Sequence, residues 1–117
     1  MKNLLKSIPK NISKELFETL VENEHIHIER IISKGHTSPK KGWHKQEKNE
    51  WVLLLKGAAR LGFEDGSEVS MGPGDCLEIL AGVKHRVVWT TPEEETVWVA
   101  VHYCLPRRIA RPGKLPR

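Results

Sequence analysis

Residues 50–103 read EWVLLLKGAARLGFEDGSEVSMGPGDCLEILAGVKHRVVWTTPEEETVWVAVHY, and this stretch decides the fold. Short runs rich in Val, Leu, Ile and Trp alternate with turn chemistry at Asp65-Gly66, Gly72-Pro73-Gly74-Asp75 and Ala81-Gly82-Val83-Lys84. Asp-Gly tolerates the positive φ of a tight hairpin, so 58–63 and 68–71 are expected as antiparallel neighbours. Strands of about five residues at regular intervals, with little helix, indicate an all-β sandwich or closed barrel rather than alternating α/β units. A barrel of about eight strands encloses room for one small ligand, which suits a small polar molecule better than a polymer.

Upstream, EHIHIERIIS alternates Ile26, Ile28 and Ile32 with His25, His27 and Glu29, the two-residue period of a strand with one buried face. Before it, SKELFETLVE spaces Leu16, Phe17, Leu20 and Val21 as a helix does, behind Ser13 as a possible cap. One short N-terminal helix is therefore expected. The organisation that follows is an arm and helix over 1–23, a barrel over 24–106 and a basic, flexible tail over 107–117.

The chain has 117 residues, the size of one domain, and a formal charge of +4. That charge is misleading until it is located. Residues 1–14 carry four lysines and no acid, residues 107–117 carry five basic residues and no acid, and the body over 15–106 holds 10 basic against 15 acidic residues. An acidic body and the lack of a helix-turn-helix segment argue against nucleic acid as a partner. Cys76 and Cys104 stand alone with no CxxC pair, which points to a reducing cytoplasm. No signal-peptide core and no apolar run of membrane-spanning length occurs, so no membrane partner is expected.

Polar residues interrupt the apolar strands at two places. Glu50 opens the run EWVLLL, and a carboxylate at the edge of a core needs a partner because an unpaired buried charge is costly. His44 and Gln46, two apart, point the same way. His85 opens HRVVW, in register by alternation with Val87 and Trp89.

These spacings resemble the cupin superfamily. Its first motif, G-x5-H-x-H-x3-E-x6-G, is matched by His44-x-Gln46-x3-Glu50-x6-Gly57, and its second, G-x5-P-x-G-x2-H-x3-N, by Gly74-x5-Leu80-x-Gly82-x2-His85. The resemblance spans about residues 25–103 and implies a single cupin barrel, a double-stranded β-helix of jelly-roll type, and a homodimer. It also implies that His44, Gln46, Glu50 and His85 hold one divalent transition metal. The chain departs from the pattern at Ser38, Gln46, Leu80 and Trp89, which stand for Gly, His, Pro and Asn. Gln46 matters most, since an amide oxygen is a weak, neutral ligand. His44, Glu50 and His85 remain a two-histidine, one-carboxylate set, with iron, manganese, nickel, copper and zinc all compatible.

Glu50 is the candidate catalytic residue, and Trp89 the candidate wall of the ligand or cofactor pocket. His25 and His27 are expected in solvent, His36 in a loop and His102 at an ordinary strand end. Trp43, Trp51, Trp89 and Trp98 are expected in the core or an interface. Cys76 and Cys104 are expected as small buried hydrophobes without a basic neighbour. Two functions follow: a metalloenzyme of dioxygenase, lyase or isomerase type acting on a small polar organic molecule, or a non-catalytic cupin that binds a small ligand or metal for sensing or storage.

Overall fold

Period-two patterning and β-branched residues dominate the body of the chain, and the strands follow them. The computed structural model describes residues 1–39 and 42–104, so the basic tail expected over 107–117 lies outside the described residues. The strands are β1 (Leu16–Glu22), β2 (Ile26–Ser33), β3 (Asn49–Lys56), β4 (Ala59–Phe63), β5 (Glu68–Met71), β6 (Cys76–Ile79), β7 (His85–Thr90) and β8 (Thr96–Tyr103). They form two antiparallel sheets, ordered β1-β2-β8-β3-β6 and β5-β4-β7. The sheets face each other as a jelly roll around Val52, Leu54, Ala59, Leu61, Met71, Ile79, Trp98 and Ala100.

The expected helix over 13–22 is instead strand β1. Its exposure alternates from Leu16 to Val21, and it pairs with β2 from Leu16↔Ile32 to Glu22↔His27, with a bulge between Thr19 and Val21. Phe17, Thr19 and Val21 favour a pleated surface, and the backbone of β2 would otherwise be left unpaired on that side. Sheet pairing outweighs the helical spacing of four apolar residues.

A buried charge ties the N-terminal arm to this layer. Arg30 on β2 is 2% exposed. Its guanidinium pairs with Glu18 of β1, with Nε donating at 2.6 Å, and donates to the carbonyls of Leu4 and Lys6 at 3.0 Å each. A buried guanidinium needs several acceptors, and the arm supplies backbone ones.

Glycines set the corners between sheets. Gly57 turns the chain from β3 to β4 at φ +93°, and a Cβ there would lie 2.3 Å from Thr96 Oγ1 and 2.6 Å from Thr96 Cα. Only glycine fits so close to a neighbouring backbone in that conformation. The hairpin at Asp65-Gly66 forms as expected between β4 and β5, with the Asp65 carboxylate accepting from the Ser67 backbone N–H at 2.8 Å.

Candidate functional site

Register places the site. Glu50 on β3 lies opposite His102 on β8, and His102 lies opposite His27 on β2, so the three share one row across the larger sheet. The next cavity-facing row of β2 and β3 brings Glu29 and Val52 across Ala100. From the other sheet, β7 supplies His85 and Val87. His44 joins from the preceding loop through an isolated bridge in which the two histidines exchange backbone hydrogen bonds, His44 N to His85 O at 2.8 Å and the reverse at 3.1 Å. A cavity of about 170 Å³ opens between these elements.

Glu50 is the centre of the cluster and is 8% exposed. Gln46 Nε2 donates to its Oε1 at 2.8 Å, His85 Nε2 lies 3.4 Å from the same oxygen, and His102 Nε2 lies 4.0 Å from Oε2. Burial acts to raise the Glu50 pKa, but the hydrogen bonds from His85 and Gln46 and the charges of the two histidines outweigh it, leaving the carboxyl below its ordinary value. His85 moves the opposite way. Burial opposes its charge, yet the Glu50 carboxylate and the Val83 carbonyl, which accepts from Nδ1–H at 3.0 Å, hold its pKa above the usual imidazole value. His102 is raised chiefly by its hydrogen bond to Glu29 at 3.0 Å, against burial. The result is an ionised carboxylate flanked by two imidazoles that favour their charged form.

Of the four residues that the cupin pattern assigns to a metal, Gln46, Glu50 and His85 are in contact, and His44 stands beside them with its ring centre 6.1 Å from that of His85. Among the described residues, no three His, Cys, Asp or Glu side chains form a group able to hold a metal ion. The chemistry of the donors explains this. Gln46 presents an amide N–H to Glu50, not an oxygen to a cation, and Glu50 Oε1 already faces both Gln46 and His85. As arranged, these residues fit a hydrogen-bonded carboxylate better than a metal cage.

Trp89 does not line the cavity; Trp98 does. A bulge between Arg60↔Trp89 and Leu61↔Val87 makes Val88 an extra residue on β7 and reverses the alternation, so Trp89 meets Arg60, whose guanidinium sits 5.3 Å over its ring. Among the tryptophans, Trp98 is 4% exposed in the core, whereas Trp43 is 37% exposed beneath the guanidinium of Arg86. Cys76 is exposed and not buried, and Cys104 has a basic neighbour after all, His25 Nδ1 at 3.7 Å.

Sequence reasoning passed over Glu15, Glu29 and His102, which all line the cavity. The face of β2 expected in solvent is the cavity face, while Arg30 and Ile32 on the other face are buried. The alternation was visible; which side faced the second sheet was not. His102 carried a signal only in combination, since its partner Glu50 lies on a strand distant in sequence.

Comparison with known proteins agrees with this geometry. The cupin domain family model matches residues 29–102. A candidate mannose-6-phosphate isomerase of Ralstonia eutropha JMP134 shares 39% identity over 88% of this chain and 96% of its own, with a TM-score of 0.85. An RmlC-like cupin of Methanocaldococcus jannaschii with a double-stranded β-helix fold shares 19% identity over 83% of this chain and 86% of its own, at a TM-score of 0.65. A cupin superfamily protein of Desulfitobacterium hafniense DCB-2 shares 15% identity over 82% of this chain and 83% of its own, at 0.69. No curated protein matches. The jelly roll, the matched glycines and histidines and these likenesses together place the chain in the cupin superfamily.

Proposed function

We propose that the cavity binds a small polar organic molecule and moves a proton on it, an isomerase-type reaction with Glu50 as the base. One observation carries this reading: a buried carboxylate, held ionised by Gln46, His85 and His102, faces a small cavity with a hydrogen-bond donor on either side. On an α-hydroxycarbonyl compound, Glu50 takes the proton from the hydroxyl-bearing carbon and returns it to the former carbonyl carbon. A charged imidazole, His85 or His102, donates to the carbonyl oxygen as the enediol forms and recovers a proton from the neighbouring hydroxyl, so no co-reactant is consumed. The likeness to a candidate sugar-phosphate isomerase points to the same reaction class.

A second reading keeps a metal. The Nδ1–H of His85 is anchored on Val83, which leaves Nε2 toward the cavity as in metal-bound imidazoles. In that reading His44, Glu50 and His85 would hold one divalent ion of iron, manganese, nickel, copper or zinc, which would supply polarisation of the carbonyl. Two further features belong to the proposal. The resemblance implies a homodimer, and Val21, 48% exposed on edge strand β1 and paired with Ile28 on the face away from the cavity, offers apolar surface for it. The free thiols of Cys76 and Cys104 suit a reducing compartment such as the cytoplasm.

The test is turnover of a panel of small α-hydroxycarbonyl compounds by protein treated with EDTA and then reloaded with each metal. Activity that survives chelation and is lost in Glu50→Gln supports the first reading. Activity that returns only with a metal supports the second, and no turnover under either condition removes both.

A further inference from the structure

We infer that the cavity takes an uncharged, polyhydroxylated ligand of about monosaccharide size that bears no phosphate or carboxylate group. This rests on the isomerase-type reading and narrows its substrate class. Three carboxylates, Glu15, Glu29 and Glu50, reach one space of about 170 Å³. Each is held by a donor of the protein: the Ser33 hydroxyl to Glu15 at 2.5 Å, His102 to Glu29 at 3.0 Å, and Gln46 to Glu50 at 2.8 Å. A carboxyl group has two oxygens with about four lone-pair sites between them, so each keeps acceptor capacity for a guest. A cavity rich in acceptors calls for a guest rich in donors, and hydroxyl groups are neutral donors.

The same arrangement opposes an anion. Of the three imidazoles that line the cavity, two are committed in the free protein, His85 to Glu50 and His102 to Glu29. Among the described residues, no lysine or arginine lines the cavity. A phosphate group would compete with Glu29 and Glu50 for those imidazoles while facing like charge at short range, in a partly dry space where repulsion is poorly screened. The apolar part of the wall, with Trp98, Ile31 and Phe17 in adjacent register on β8, β2 and β1, offers a flat surface for the C–H face of a sugar ring.

The test is a titration followed by amide and indole NMR of the wild-type protein. The probes are ribose, fructose and mannose, each beside its terminal phosphate ester. The expected result is that at least one free sugar shifts the Trp98 indole resonance and that its ester binds at least tenfold more weakly. The double variant Glu15→Gln/Glu29→Gln should narrow that gap. An ester that binds as well as or better than its sugar, or no response to any free sugar, overturns the inference. The isomerase-type reading is scored separately, by Glu50-dependent exchange of a carbon-bound proton with solvent on whichever compound binds. Tight ester binding with that exchange would sink the ligand class alone.

Discussion

His102 and Glu50 are register partners on neighbouring strands, and their side chains meet over the cavity with Nε2 4.0 Å from Oε2, while the same nitrogen lies 3.0 Å from Glu29. One imidazole thus stands between two carboxylates. The hydrogen bond to Glu29 favours its charged form, and that charge in turn helps hold the Glu50 carboxyl below its ordinary value against burial.

Removing it should therefore unsettle both. His102→Leu leaves the Glu29 carboxylate without its donor, and losing the partner of a partly buried charged group costs about 1–3 kcal/mol. Urea denaturation of the variant should show that loss, and Glu29→Gln added to it should restore part of the stability. A purely additive double variant would mean that the two side chains do not interact.

Stability should fall on both sides of neutrality, for separate reasons. The Glu18 pKa is lowered: its slight burial opposes the charge, but the hydrogen bonds and charges of Arg30 and Lys2 prevail. A lowered folded pKa adds stability above the ordinary value of 4.5, lost as pH drops through the folded value. The His102 pKa is raised by Glu29, so its contribution is complete below 6.5 and is lost as pH climbs through the folded value. Thermal melts across pH should show an acid limb that Glu18→Gln flattens and an alkaline limb that His102→Gln flattens. Unchanged limbs would contradict the pairing.

Gly57 should tolerate no side chain. Gly57→Ala meets Thr96 backbone as well as a φ of +93°, whereas Gly66→Ala meets only its φ of +91°, with no atom within 4 Å. Backbone strain of this kind costs about 1–3 kcal/mol, and the clash at Gly57 adds to it. Chemical denaturation should rank Gly57→Ala as the less stable of the two.

The two tryptophans should separate cavity from surface. Trp89→Leu removes only a ring stacked under Arg60, so ligand response should persist. Trp98→Leu alters the cavity wall and should weaken ligand binding, measured for both variants by NMR titration on the backbone amide resonances of the cavity strands. Equal effects would place Trp89 in the site.

Much of this was legible from residue order alone. The hairpin at Asp65-Gly66, the corner at Gly57 and the meeting of Gln46, Glu50 and His85 follow from turn chemistry and two matched spacings. Three things did not follow. The β1 segment carries helical spacing, and only the unpaired edge of β2 makes it a strand. The bulge at Val88 leaves no mark in HRVVWT, so alternation put Trp89 on the wrong face. Glu29 and His102 meet through pairing between strands separated by most of the chain, which a local pattern does not encode.

The central claim is that Glu50 moves a carbon-bound proton in this cavity, and deuterium incorporation reads that step directly. Wild-type protein and Glu50→Gln, both folded by circular dichroism, are incubated in heavy water with the compound that binds, and uptake at the carbon beside the carbonyl is followed by NMR. The account predicts uptake with the wild type and a loss on the order of a hundredfold or more in the variant, the scale of a general base. Equal rates for the two proteins would contradict it.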